Sequence, residues 1–148
     1  MDHSIKDLER RARAYLPRVL YDWVAGGAED ELGLRASVAD FARVRLVPRY
    51  GNPVKTPDIA HTLFGRTYSS PIGIAPTGLA GLFRRGADLM LAEAARDANV
   101  PFIMSGSSTG SIEDLGKLAP DHGWYQLYSS KDEAISEDLI KRTADAGL

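Results

Sequence analysis

From Pro71 onward the chain repeats one unit: a short, almost wholly apolar run, a loop of small residues, and a stretch of helical periodicity. The runs are Pro71–Ala75 (PIGIA), Phe102–Ser105 (FIMS) and Trp124–Tyr128 (WYQLY), with starts about 31 and 22 residues apart. Helical patterns follow over Ala87–Ala98, from near Ser111, and over Lys131–Ala146. Parallel neighbours need a connection of a dozen or more residues, and a crossover helix supplies it. Unbroken apolar character fits strands covered on both faces. The fold class is therefore α/β. A closed eight-unit barrel takes about 250 residues, whereas residues 71–148 of this 148-residue chain spend themselves on three units. The expectation is a (β/α)8, or TIM, barrel truncated after about three β/α units. Gly147 reads as a left-handed helix cap that turns the chain toward a further strand.

Residues 1–70 read as N-terminal helices and a β-hairpin, and 71–148 as the first three barrel units, all within one domain. Ser4 and Asp7 resemble a capping box ahead of Ile5, Leu8, Ala12 and Leu16. Pro17 suits the first turn of a second helix, PRVLYDWV, which Gly26-Gly27 stops. A third helix is expected over Glu29–Phe41, and a short extended piece at Val44, Leu46 and Pro48. Ile59–Phe64 and Arg66–Ser69 flank Gly65 as the two arms of a hairpin.

Composition excludes several classes. A formal net charge of −2 gives no electrostatic case for nucleic acid. The absence of cysteine removes disulfides, thiol catalysis and thiolate metal sites. His3, His61 and His122 read as surface histidines with no metal-ligand spacing. The start, MDHSIKDLERR, carries charges where a signal peptide needs an apolar stretch, so none is expected in it. The longest uncharged run, Thr67–Phe83, is 17 residues broken by two prolines and three glycines, short for a membrane span. A cytoplasmic location is expected, with peripheral attachment to a membrane left open.

Four segments in order, YDWVAGGAED (21–30), IAPTGL (74–79), SIEDL (111–115) and WYQLY (124–128), carry a resemblance. Together they resemble the N-terminal part of the FMN-dependent 2-hydroxy acid oxidising enzymes, which include glycolate oxidase, L-lactate dehydrogenase and mandelate dehydrogenase. The resemblance runs over about residues 8–148. It implies a barrel with FMN across the C-terminal ends of the strands, the end where barrel active sites are built. Pro76, Thr77 and Gly78 match the segment whose backbone lies against the flavin ring, where a residue lacking Cβ permits close approach. Ser105 and Gln126 match a serine and a glutamine that hydrogen-bond the flavin. Strand alternation puts Gln126 and Tyr128 on one side, Tyr125 and Leu127 on the other. Tyr128 matches a tyrosine that points its hydroxyl at the substrate. The loop GSSTGS (106–111) lacks the phosphate-loop pattern and its lysine, and reads as a plain connection.

One position departs from the resemblance. The family reads Tyr-Asp-Tyr, its second tyrosine binding the substrate carboxylate, where this chain has Tyr21-Asp22-Trp23. Indole N–H only donates, and from elsewhere on a larger ring. Trp23 is thus expected either to reach the carboxylate or to fill the pocket and change substrate choice. In a full-length protein, Trp23→Tyr is expected to tighten binding of a small 2-hydroxy acid.

The resemblance implies an FMN-dependent oxidoreductase that converts a 2-hydroxy acid to a 2-keto acid, a small-acid substrate, an unassigned electron acceptor and a homo-oligomer when full-length. The base, carboxylate clamp and flavin-stabilising lysine of the family belong to later strands. No catalytic residue is therefore assigned here, and the 148 residues alone are expected to be inactive. The alternative is a stand-alone partial barrel acting as a non-catalytic binding or structural module. A non-flavin phosphate-sugar barrel is weaker, because the four-segment match argues against it.

Overall fold

The structure, a computed structural model, describes residues 4–51 and 53–148; His3 lies outside them. The chain divides into two compact units, Met1–Lys55 and Thr56–Leu148.

The first unit holds three helices, α1 (Ile5–Tyr15), α2 (Arg18–Ala25) and α3 (Leu32–Phe41). The Ser4 hydroxyl caps α1 by accepting from the Asp7 amide at 3.3 Å, which offsets one of the free donors of the first turn. Gly26 ends α2. Tyr21 of α2 donates to Glu9 Oε1 of α1 at 3.0 Å, and this hydrogen bond raises the phenol's pKa. The third helix starts three residues later than the periodicity predicts. Glu29 and Glu31 take positive φ (49° and 58°), and the Glu31 carboxylate folds back to accept from the Gly27 amide. The stretch Val44–Pro48 joins no ladder among the described residues.

The second unit opens with the hairpin, β1 (His61–Leu63) paired antiparallel with β2 (Arg66–Tyr68). Phe64 and Gly65, both at positive φ (48° and 81°), form its two-residue turn, whose twist matches the strands. Next come α4 (Ala80–Phe83), α5 (Ala87–Asp97), β3 (Phe102–Met104), α6 (Ile112–Leu118), β4 (Gly123–Tyr125) and α7 (Glu133–Asp145). β3 and β4 are parallel, Phe102 facing Gly123 and Met104 facing Tyr125.

The strand expected at Pro71–Ala75 is reduced to one parallel bridge, Ile74 to Phe102. Ile74 N–H donates to the Pro101 carbonyl at 2.8 Å and Ile103 N–H to the Ile74 carbonyl at 3.0 Å. The next donor along the segment would be Pro76, which has no N–H. On the other side the Asn99 carbonyl is taken by Ser69 N–H, and Ile72 N–H turns to the Ser70 hydroxyl. The segment order, Ile74 beside β3 beside β4, is still that of consecutive βα units. The described residues form no closed barrel.

The core lies between β3 and its two helices. Ala92 and Ala95 of α5, Phe102 and Met104 of β3, and Leu115 and Ala119 beside them are all buried. The two alanines present a smooth face that lets α5 lie close to the strand, and burying Phe102, Met104 and Leu115 stabilises the unit by about 1.5–3 kcal/mol each. Across the outer layer, Arg142 of α7 grips Glu113 of α6 with two hydrogen bonds, Nε to Oε1 at 2.7 Å and Nη2 to Oε2 at 3.0 Å. This fork geometry holds the Glu113 carboxyl down to a pKa of about 2.

At the N-terminal end of the strands the hairpin is fastened to β4. Tyr68, 2% exposed, accepts from the Trp124 indole at 3.1 Å and donates to the Asp121 carbonyl. His122 is half-buried, its Nε2 3.0 Å from Asn99 Oδ1, so a surface reading fits His61 but not His122. No helix among the described residues is long and apolar enough to cross a membrane.

Candidate functional site

Three chain segments emerge at the C-terminal end of the parallel segments: Pro76–Gly78 after the Ile74 bridge, Ser105–Ser107 after β3, and Gln126–Tyr128 after β4. Register fixes their mutual placement. The Gln126 amide donates to the Met104 carbonyl at 2.9 Å, one step beyond the last strand pair, so Gln126 comes level with Ser105. Alternation then divides the β4 side chains as expected. Tyr125 and Leu127 border a groove with Ile140, Thr143 and Ala144 of α7, while Gln126 turns toward the β3 loop.

At that loop the polar atoms converge. The Ser105 side chain, in a residue 3% exposed, donates to Gln126 Oε1 at 3.3 Å and accepts from Ser107 N–H at 3.1 Å. Gly106 N–H also donates to Gln126 Oε1, at 3.4 Å. The Gln126 amide nitrogen has no hydrogen-bond partner among the described residues. Its donors are therefore available to an incoming acceptor.

The first loop is tied to the second by Leu79 N–H donating to the Ser107 carbonyl at 3.2 Å. Gly78 lies beside the same serines: a Cβ there would fall 3.8 Å from Ser105 Oγ and 3.7 Å from Ser107 Cβ. Pro76 is half-buried, and the Thr77 hydroxyl faces its own turn, donating to the Ala75 carbonyl at 3.5 Å. Tyr128 stands 63% exposed with its ring against Gly106. A Cβ at Gly106 would approach Tyr128 Cδ2 to 2.7 Å and the Gln126 carbonyl oxygen to 2.9 Å, so only glycine allows this contact.

The structure thus brings Gly78, Ser105, Gln126 and Tyr128 together, with Pro76 and Thr77 on the adjoining turn. Trp23 is 59% exposed on α2 of the first unit. Sequence reasoning passed over Gly106 and Ser107 by treating GSSTGS as a plain connection. Their backbone N–H groups turn out to be part of the cluster, a role that position two residues past a strand end signals better than residue type. The described residues contain no group of His, Asp or Glu arranged to hold a metal.

Comparison with known proteins identifies the family. A family model described as FMN-dependent dehydrogenase matches residues 12–148. The chain is 35% identical over 145 residues to a 2-hydroxyacid oxidase of Dictyostelium discoideum, covering 97% of this chain and 37% of that protein. It is 37% identical over 144 residues to the 4-hydroxymandelate oxidase of Amycolatopsis orientalis, covering 97% and 40%. The crystal structure of a mandelate oxidase superposes with a TM-score of 0.93 at 36% identity, over 100% of this chain and 43% of that one. The chain therefore spans less than half the length of these relatives. With a family match over residues 12–148 and a shared fold at 36% identity, the chain belongs to the FMN-dependent dehydrogenase family.

Proposed function

We propose that the cluster at the strand ends forms one wall of an FMN site in an enzyme that oxidises the 2-hydroxyl of a small 2-hydroxy acid to a 2-keto acid. The observation that carries this reading is the Ser105–Gln126 pair: two polar side chains from successive strand ends, hydrogen-bonded to each other, with the Gln126 amide donors still open. The donor set fits the polar edge of a flavin. That edge alternates carbonyl oxygens with an N–H, and a hydroxyl plus a carboxamide can serve both kinds of atom. The Pro76–Gly78 turn fits the flat ring beside it, with backbone and a proline face in place of bulky side chains. FMN, when bound, accepts the electron pair released from the carbon that bears the hydroxyl.

Each residue then has a defined task. Ser105 and Gln126 orient the cofactor's polar edge, and Gly106 N–H holds Gln126 in register. Gly78 gives the ring room to approach the backbone. The Tyr128 hydroxyl, on an exposed ring seated on Gly106, donates to the carboxylate or oxygen of the substrate. Mandelate, lactate and hydroxymandelate are substrates in the names of relatives; this chain is assigned only the 2-hydroxy acid class, with the eight-stranded barrel as its frame.

The test is a titration of the isotopically labelled chain with FMN, followed by amide chemical shifts, which report binding even in the millimolar range. Shifts concentrated at Thr77, Gly78, Ser105, Gly106 and the Gln126 side-chain amide are expected. Shifts spread over other faces, or none at millimolar FMN, overturn the assignment.

A further inference from the structure

Asp88 is the buried charged side chain that the proposed function leaves without a task. It sits in the first turn of α5 and is 3% exposed. Its Oδ2 accepts a hydrogen bond from Thr109 Oγ1 at 3.1 Å. A buried carboxylate is costly unless partnered, and the first turn of a helix favours its charge. The side chain it partners belongs to the loop that carries Ser105 and Gly106.

That loop is a relay of short links. Ser107 N–H reaches the Ser105 hydroxyl, Ser108 N–H the Ser105 carbonyl at 3.0 Å, and Gly110 N–H the Ser108 hydroxyl at 2.9 Å. Links within a loop do not fix where the loop sits. Besides the bonds of Ser105 and Gly106 to Gln126, two contacts to other segments do so: Ser107 carbonyl to Leu79 N–H, and Thr109 to Asp88 at the far end. Thr109 is also wedged against α4. A Cβ at Gly81 would lie 2.0 Å from Thr109 Oγ1 and 2.9 Å from its Cβ, so the threonine occupies the space a side chain at Gly81 would need. The threonine is thus held from two sides by residues of two different helices.

We infer that Asp88 is a positioning residue: through Thr109, seated on Gly81, it fixes the 105–110 loop so that Ser105 and Gly106 meet Gln126. The role of that cluster in flavin binding rests on the reading above; the anchoring does not. The inference assigns the side chain at 88 a requirement for a hydrogen-bond acceptor, at 109 for a hydroxyl, and at 81 for the absence of a Cβ.

The test is amide hydrogen exchange by NMR on the full chain and three variants. Thr109→Val keeps the shape and removes the hydroxyl, Thr109→Ser restores the hydroxyl, and Gly81→Ala displaces the threonine without altering either hydrogen-bonding group. Losing a hydrogen bond to a charged partner is expected to speed exchange at Ser108 and Gly110 about tenfold in Thr109→Val and Gly81→Ala. Ile103 and Gln126, whose amides are held in the strand ladder, are expected to stay within about twofold, and Thr109→Ser to return the loop to parental rates. Unchanged loop exchange in Thr109→Val overturns the inference. So does equal acceleration of Ile103 and Gln126, which is general loosening. Should Thr109→Val fail to fold, Gly81→Ala and Thr109→Ser carry the same comparison. A loosened loop in a chain whose shifts ignore FMN upholds the anchor and defeats the flavin reading.

Discussion

Replacing Ser105 by alanine separates a binding role from a structural one. The hydroxyl makes two hydrogen bonds, to Gln126 Oε1 at 3.3 Å and from Ser107 N–H at 3.1 Å. Both are longer than the optimum for their type, and Gln126 and Ser107 are open enough for water to replace the lost partner. Alanine fills nearly the same buried volume and leaves no polar atom behind. The stability cost is therefore the net worth of about one hydrogen bond, about 1 kcal/mol, or a melting point lower by about 4–8 °C in a unit of this size. On the proposed flavin site, FMN is expected to lose more in proportion: a contact with the hydroxyl and the orientation of the Gln126 side-chain amide, together about 1.4 kcal/mol, a tenfold weaker Kd. Shift titrations on parent, Ser105→Ala, Gln126→Leu and the double variant measure this directly. Because the two side chains act as a pair, the double variant is expected to bind FMN about as weakly as Gln126→Leu alone. If Ser105→Ala melts lower yet binds FMN as the parent does, Ser105 is a turn cap and the reasoning is refuted.

Other outcomes follow from the same structure. Leu115→Ala empties a fully buried position in a cluster whose other members include the short side chains of Ala92, Ala95 and Ala119. The loss is expected near the upper end for such changes, about 3–5 kcal/mol by urea unfolding, and a loss under about 1.5 kcal/mol contradicts the packing described. Gly106→Ala drives the added Cβ against the Tyr128 ring and the Gln126 carbonyl. The ring of the largely exposed Tyr128 swings out readily, but the Gln126 carbonyl belongs to the backbone and must shift, so a loss of about 1–3 kcal/mol is expected, and NOEs between the ring and residue 106 disappear. Persisting NOEs refute the contact. The Glu113 carboxyl, held by Arg142, titrates near 2 in the folded chain against an ordinary value near 4.5. A depressed folded pKa contributes stability above the ordinary value and loses it as pH falls toward 2. Glu113→Gln is therefore expected to melt below the parent at neutral pH and level with it near pH 2, the carboxyl midpoint being read by NMR. A midpoint near 4.5 removes the clamp from the account.

The features legible in the sequence are those whose causes are local. Ser4 caps α1 because its hydroxyl and the Asp7 amide are three residues apart, and Gly65 marks the hairpin turn, although Phe64, expected in the first arm, takes a left-handed φ and joins the turn. β3 and β4 were visible as apolar runs, and Gln126 as the polar residue interrupting one of them. What escaped reading depends on partners distant in the chain. The strand at 71–75 shrinks to one bridge because Pro76 cannot donate and Ser69 has already claimed the Asn99 carbonyl. The late start of α3 follows from two left-handed glutamates, a backbone choice their composition does not announce. In the sequence Asp88 is marked only by its place in the first turn of α5. Its burial becomes meaningful only with Thr109, 21 positions on, at hydrogen-bond distance.

The cluster depends on register more than on any side chain in it. A parallel strand slipped by one residue presents its other face. At β4 that slip would turn Tyr125 and Leu127 toward Ser105 and send Gln126 into the apolar groove beside α7, where its amide would have no partner. Two features oppose the slip. The Trp124 indole is held by Tyr68 at the N-terminal end of the strand, and the Gln126 amide by the Met104 carbonyl at the C-terminal end. The hairpin, which contributes no atom to the cluster, therefore acts on it along the length of β4. This also explains why Tyr68 is among the most deeply buried side chains although it lies at the opposite end of the strand from the candidate site. Chemistry at one end of a β/α unit is set by what fastens the other.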